Sequence, residues 1–388
     1  MKIAINIEHF SATKGGAERY ASGLAKALAD NGHELHILAS SWYDSCEKDF
    51  CCHKIPKSFF RTFRDLKFAC TSQKELLKEK YDLCLSFSRS INPGFYLPHG
   101  GVHRAYLERE LQSYSNPLIK ALKYFTHRIS LRHFLIKRIE SKVFKNPNLI
   151  VVAISKMVKQ DILSFYAFPE KNIKIIYNGV DLELFNLNRS KQYRKEIRHR
   201  YSINGNDLLI LFVANNFRLK GLVNLVYAAG FMKKKMENFH VLILGSGNKL
   251  PHERLAERLG CGNKFSFIGK VMEVEKYYAA ADVIAQPTFY DACSLVTLES
   301  MASGLPVVTS CRNGASELIE NGEHGFVLDD PRDYSLLSEK LMLFTDKNLK
   351  ERIGKKARKK IEKYSLQQNS KEMLVLCEEM ASITKTTP

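Results

Sequence analysis

Short apolar segments alternate with helical stretches along almost the whole chain. Parallel strands need a crossover between them, usually a helix, so this alternation predicts parallel α/β sheets covered on both faces. In the first half the strands read "KIAINI", "ELHILA", "DLCLSFS", "LIVVAIS" and "KIIY". The second half repeats the plan with "DLLILFVA", "HVLILG", "KFSFIG", "DVIAQP", "PVVTS" and "GFVL", and with helical segments beginning near Gly221, Lys249, Glu273, Ser294 and Ala315. A chain of 388 residues is too long for one ordinary core. The expected architecture is therefore α/β, with two Rossmann-like domains facing a cleft. Asn178-Gly179 in "YNGVDLELF" and the basic connector after it place the boundary. Residues 1–178 form the first domain, 179–365 the second, and 366–388 a helix that returns to the first. A ligand is expected at the carboxyl ends of both sheets.

No run of eighteen uncharged apolar residues occurs, and "MKIAINIEHF" is too short and polar for a signal peptide, so a soluble, cytoplasmic chain is expected. The nine cysteines are odd in number and form no CxxC pair, which fits reduced thiols. The one cluster is Cys46, Cys51, Cys52 and His53. Adjacent Cys51 and Cys52 in the strand-like "FCCHKI" point to opposite faces, so thiols are expected there and no metal.

The net charge of +18 calls for an anionic partner, which could be nucleic acid, a membrane surface or a phosphorylated substrate. No nucleic-acid reading motif is visible, so no nucleic-acid partner is expected. The charge is concentrated from Arg104 to Lys145, where ten Lys or Arg stand against three Glu. Tyr106, Tyr114, Tyr124, Phe125, Phe134 and Phe144 are interleaved with these cations, and Leu118, Leu122, Phe125 and Ile129 recur at helical steps. The pattern suits a helix lying in the headgroup layer of an anionic membrane. Packing of the same stripe on the first domain is the alternative.

Each half opens with a strand and a glycine-bearing loop before a helix, "NIEHFSATKGGAERY" and "FVANNFRLKGLVNL". Such glycines let backbone approach a phosphate. "LGSGNKL" lacks the third glycine of a dinucleotide fingerprint and no GxxxxGK[ST] occurs, which disfavours hydride transfer and P-loop chemistry. The most informative stretch is "YDACSLVTLESMASGLPVVTS". Ser294 caps a helix there, Leu295, Leu298 and Ala302 mark its apolar stripe, and Gly304 and Pro306 end it. Glu299 lies on that stripe, where a carboxylate needs donors from the protein or from ligand hydroxyls. Asp291 precedes the helix start, whose N–H groups suit an anion. An anion flanked by hydroxyl groups describes a sugar nucleotide.

Together "FRLKG", "GSG" and "YDACSLVTLESMASGLPVV" resemble the retaining glycosyltransferases of family 4, which have the GT-B fold. "GGAERYASGLAKALADNGHEL", "AISKMVKQDIL", "IIYNGVDLELF" and "ASELIENGEHGFVL" extend the resemblance over nearly the whole chain. Within the family, "FRLKG" and "TFYDACSLVTLESMASGLPVV" are most similar to the lipopolysaccharide core glucosyltransferase group.

The resemblance implies that Glu299 accepts hydrogen bonds from ribose hydroxyls and that Asp291 contacts hydroxyls of the transferred sugar. It implies that backbone N–H groups of Ser294, Leu295 and Val296 meet the diphosphate, while Lys220 and Arg218 neutralise its departing charge. Gly15 and Gly16 would let the first domain close on the sugar phosphate, and Gly245 and Gly247 would line the nucleotide side. Single-residue alternatives stay open: Asp291 as a helix-start residue, Lys220 as a solvated charge, and Glu299 paired with a cation such as Arg312. His99 and His103 in "LPHGGVHRAY" follow a strand end. An acceptor or general-base role is open to His99, whereas His103 is expected on the surface.

No DxD pair offers a metal site, so leaving-group charge would fall to the cations and the helix start. The resemblance implies retention, with front-face attack on an oxocarbenium-like sugar and a diphosphate oxygen as base. The expected donor is UDP-glucose, with no cofactor. The expected acceptor is a glycolipid or lipopolysaccharide core at the inner face of the cytoplasmic membrane. Another nucleotide sugar or acceptor, and a sugar-nucleotide epimerase of the same build, are the alternatives, with a nucleic-acid-binding protein that uses the basic charge as the non-enzymatic one.

Overall fold

The structure is a computed structural model, and it describes residues 1–12, 15–42, 50–91, 94–186 and 190–386. The chain divides into two compact units, one made of Met1–Gly179 and the segment from Leu366, the other of Val180–Ser365. In the first unit the strands are β1 (Lys2–Asn6), β2 (His9–Phe10), β3 (Glu34–Ala39), β4 (Ser41–Trp42), β5 (Cys51–Lys54), β6 (Leu83–Ser86), β7 (Phe95–Tyr96), β8 (Ile150–Ala153) and β9 (Ile173–Ile175). Its helices are α1 (Gly16–Asp30), α2 (Arg64–Leu76), α3 (His103–Gln112), α4 (Pro117–Ile129), α5 (Leu131–Val143) and α6 (Lys156–Phe165). Seven strands form one parallel sheet in the order β5-β3-β1-β6-β7-β8-β9. β2 and β4 pair separately.

The second unit holds α7 (Ser190–Arg200), β10 (Leu208–Val213), α8 (Leu222–Lys233), β11 (Phe239–Leu244), α9 (Leu250–Arg258), β12 (Phe265–Gly269), α10 (Val274–Ala280), β13 (Val283–Gln286), α11 (Leu295–Ala302), β14 (Val307–Ser310), β15 (Gly325–Leu328), α12 (Tyr334–Met342) and α13 (Lys347–Ile361). Its six strands are all parallel, in the order β12-β11-β10-β13-β14-β15. The last helix, α14 (Leu366–Thr386), belongs to the first unit, where Met373, Leu376 and Cys377 join the core built on β1, β3 and α1.

Apolar composition explains the sheets. β10 reads LLILFV and has helices on both faces, so five of its six residues are buried. α8, LVNLVYAAGFMK, is apolar nearly all round and is buried accordingly. The segment near Ala315 differs from expectation: it is a 3₁₀ turn over Gly314–Leu318, too short for an α-helix between β14 and β15. In both sheets the strand sequence runs outward from a central pair and then reverses, at β1 and β6 in the first and at β10 and β13 in the second. Such a switch point opens a crevice beyond the carboxyl ends of the central strands. The eight described cysteines are free, and Cys46 lies outside the described residues.

Candidate functional site

The crevice of the second unit is built from the loops after β10, β11, β13 and β14. The loop after β10 turns back at Gly221, which caps α8 with φ of +79°, and a Cβ there would meet the carbonyl oxygen of Pro287 at 1.9 Å. Only glycine allows both the left-handed turn and that approach. The approach is locked by Phe289 N–H and Thr288 Oγ1, which donate to Leu219 O at 2.8 and 3.1 Å. "FRLKG" and "PTFYD" are thereby fastened together across the switch point. Gly245 ends β11 with φ of +122°, and a Cβ there would strike Ala214 O at 1.7 Å. Gly247 lies against the ring of Phe217 in the same way. Both glycines of "GSG" thus have a packing reason at this rim.

Lys220 and Asp291 are brought together. Lys220 Nζ donates to Asp291 Oδ2 at 2.5 Å and to Tyr290 O at 3.1 Å, with both side chains mostly shielded. Lys220 is therefore an oriented ammonium rather than a solvated charge. Asp291 is itself fixed through its backbone, its N–H donating to Arg312 O and its carbonyl accepting from Gly314 N–H. Arg218 is half-buried two residues before Lys220, and its carbonyl accepts from Gly221 N–H.

Ser294 caps α11, its Oγ accepting from Thr297 N–H and donating to Gln286 Oε1 at 2.8 Å. Asn313 Oδ1 takes the N–H groups of Ser294 and Ala315, while its amide donates to Thr297 and Thr309 hydroxyls. The N–H of Ser294 is therefore directed to Asn313. Leu295 and Val296 supply the first-turn N–H groups, which have no acceptor within a helix. Glu299, 4% exposed, accepts from Tyr278 OH at 2.8 Å. One donor to it in the protein is thus a hydroxyl. Sequence reasoning missed Tyr278, Asn313 and Gln286. The "RNG" turn after β14 carries a signal for Asn313, whereas Tyr278 comes from α10, and no local pattern links it to Glu299.

In the first unit Gly15, with φ of +60°, caps α1, and Gly16 starts that helix; Thr13 and Lys14 of the same loop lie outside the described residues. His99 follows β7, its ring packed on Tyr20 and Phe87. Its Nε2 is buried with no hydrogen-bond partner among the described residues, and burial holds the imidazole down to about 3, hence neutral at ordinary pH. A packed core histidine would ordinarily have that nitrogen satisfied. Close by, Glu8, Asp65, Ser88, Arg89, Tyr96 and Gly101 line a cavity of about 180 Å³ at the carboxyl ends of β1, β6 and β7. Arg89 is held by Glu140 at 2.9 Å, and burial raises the Glu8 carboxyl above its usual range.

His103 corrects an expectation. It is buried at the start of α3, where Glu140 accepts its backbone N–H, and its Nε2 meets His133 Nδ1 at 3.0 Å. Helix packing of α3 against α5 covers it.

The family model for Glycosyltransferase Family 4 matches residues 14–184, and that for Glycosyl transferases group 1 matches residues 193–360. An uncharacterised glycosyltransferase of Methanocaldococcus jannaschii is 28% identical over 96% of both chains. The lipopolysaccharide glucosyltransferase WaaG of Escherichia coli is 24% identical over 84% of this chain and 85% of its own. Among solved structures, WaaG superposes with a TM-score of 0.81 at 21% identity, covering 96% of this chain and 98% of its own. HepE of Anabaena, solved with UDP and glucose, superposes with a TM-score of 0.72 at 16% identity, covering 98% of this chain and 100% of its own. The chain belongs to the family 4 glycosyltransferases, and its fold is GT-B.

Proposed function

We propose that this glycosyltransferase moves glucose from UDP-glucose to a lipopolysaccharide core or related glycolipid acceptor, with retention at the anomeric carbon and no divalent metal at the diphosphate. The observation that carries the reading is the Lys220–Asp291 pair at the β10/β13 switch point, beside the α11 N-terminus and the buried Glu299. On this reading the diphosphate lies against the Leu295 and Val296 N–H groups, and Lys220 and Arg218 stabilise its departing charge. Glu299 accepts from the ribose and Asp291 from the sugar, while Asp291 also aims Lys220. The acceptor hydroxyl attacks from the face the diphosphate leaves, and a diphosphate oxygen takes its proton. WaaG, a lipopolysaccharide glucosyltransferase, and HepE, solved with UDP-glucose, support the choice of donor and acceptor class.

The acceptor side falls to the first unit, with His99 and the cavity beside Arg89 as acceptor contacts. A membrane role for the basic segment is supported by exposure. α4 buries none of its residues, and its stripe Leu118, Leu122, Phe125 and Ile129 is 80, 62, 59 and 66% exposed. Packing on the first unit therefore does not account for that stripe. Phe59 and Phe60 are also exposed, just before the turn that leads to α2, whose Asp65 pairs with Arg132 of α5. Among the described residues no helix is long and apolar enough to cross a membrane. The reading is of a chain that rests on the inner face of the cytoplasmic membrane, with lipid-anchored acceptor in reach.

The test is transfer of labelled glucose from UDP-glucose to deglucosylated lipopolysaccharide core, with anomeric configuration read by NMR. Added magnesium or manganese should not raise turnover. An inverted product, or transfer only from another nucleotide sugar, would overturn the corresponding part of the reading.

A further inference from the structure

The first unit carries a second cluster of chemistry, on one face of the neighbouring strands β3 and β5. Strand alternation sends Cys52 toward the core and Cys51 to the other face, and it brings His53 to that same face. β5 pairs with β3 so that Cys51 stands beside His36. Glu79, just past α2, closes the group from above.

The hydrogen-bond pattern there is unusual. His36 Nε2 lies 2.8 Å from Glu34 Oε1, and a carboxylate only accepts, so His36 donates from Nε2 and turns a bare Nδ1 inward. That Nδ1 lies 2.8 Å from His53 Nε2 and 3.9 Å from Glu79 Oε2. The far nitrogen of His53, Nδ1, faces Glu75 Oε1 at 3.7 Å. Each imidazole thus has a carboxylate behind it and its other nitrogen pointed at its neighbour. This is the outer-carboxylate arrangement that fixes histidine ligands around a metal. In the metal-free protein the His53 Nε2–H donates to the bare His36 Nδ1, and a metal ion that displaces this proton finds both nitrogens turned toward it. The buried hydroxyl of Tyr81, whose ring meets His36 edge-on at 5.2 Å, also has no partner among the described residues.

We infer that His36 Nδ1, His53 Nε2 and a Glu79 carboxylate oxygen bind a divalent ion of the zinc class. The three ligand atoms lie within 4.8 Å of one another. Bond lengths of about 2.0–2.2 Å to zinc then require only side-chain rotation and a slight parting of the two rings. Two imidazoles and a carboxylate favour zinc over magnesium or calcium, which prefer oxygen. Cys51, whose thiol lies beside Glu34 and His36, borders the site without being one of its three ligands. Lys2 Nζ, now 2.6 Å from Glu79 Oε2, competes with the ion for that carboxylate. The ion ties the edge strand β5 to β3 and to the end of α2, so its role is structural.

The experiment is calorimetric titration of the chelator-treated full-length protein with zinc chloride, alongside thermal melts with and without the metal. One equivalent should bind, and the melting temperature should rise with it. His53→Gln and Glu79→Gln, both at solvent-accessible positions, should each weaken binding by at least about tenfold, and the outer Glu75→Gln by about tenfold. Lys2→Met should strengthen it. Cys51→Ser should leave binding in place, as should Lys220→Ala. Absence of binding would mean that a proton bridges the two imidazoles and would overturn the inference. Binding lost in Cys51→Ser but kept in His53→Gln would overturn the ligand assignment.

Discussion

Asp291 and Lys220 face each other directly, so changing either alters the other. Lys220→Ala should lower turnover more than it raises the donor KM, because an ammonium aimed at the diphosphate matters most as charge develops there. Asp291→Asn keeps the shape but releases Lys220, and it should lower kcat with a smaller effect on KM. A change in KM alone in both variants would make the pair a ground-state binder. Glu299→Gln keeps the packing and the Tyr278 contact while removing the charged acceptor. Donor affinity measured by calorimetry should fall by about 1.5–3 kcal/mol, the scale of a hydrogen bond to a charged group. The inward position of Glu299 was legible because an acid on an apolar helical stripe has few other places to point. Its tyrosine partner was not, because the contact joins two helices distant in sequence. His99 gives a pH test. Its folded value, about 3, lies below the free value of 6.5, so the unfolded chain binds the extra proton between them. Its contribution to stability is complete above 6.5 and falls as pH drops below that. Urea midpoints should decline on acidification from about pH 7 toward pH 5, and less steeply in His99→Asn. Equal slopes in the two proteins would show that His99 is not buried as neutral imidazole.

Among the elements, the six strands of the second unit could all be read from the sequence, because each is a short apolar-rich run bounded by turn signals, even the half-buried edge strand β12. β7 escaped, since two residues beside Gly94 carry too little pattern to register. For α4 the sequence left two fates open, core packing or exposure, because periodicity shows a stripe without showing what covers it. The exposed stripe and the flanking Lys120 and Lys123 set up a test by vesicle flotation. Binding should rise with anionic lipid content and weaken with salt. Lys120→Gln with Lys123→Gln should weaken it by removing charge, and Leu122→Ser with Phe125→Ser by removing apolar contact. Neither pair should change UDP binding. Arg132 is a poorer probe, because it already pairs with Asp65. Equal retention on neutral and anionic vesicles would remove electrostatics from the account.

At the scale of the whole molecule, the chain crosses between units twice, at Gly179–Val180 and at Ser365–Leu366, and each unit has its own hydrophobic core. The second unit is continuous in sequence. Its sheet, the covering helices α8 and α12 and the donor-side residues all lie between Val180 and Ser365. The first unit is discontinuous. It depends on α14, which inserts Met373, Leu376 and Cys377 beside Ile3, Leu24 and Leu28, and whose Asn369 donates to Tyr177 O at 2.6 Å. This asymmetry predicts opposite outcomes for two truncations. A fragment of residues 180–365 should fold cooperatively and bind UDP, because no core residue or proposed donor contact of that unit lies outside it. Removing residues 366–388 should instead destabilise the first unit, since each large buried side chain withdrawn costs about 2–5 kcal/mol. In that truncated chain UDP binding should survive while a separate, lower thermal transition appears. Circular dichroism melts and UDP calorimetry on the two proteins would check both. If the fragment is folded but does not bind UDP that the full chain binds, the donor site draws on residues of the first unit. The same result would mean that the Lys220–Asp291 pair and the α11 N-terminus are together insufficient to hold the nucleotide.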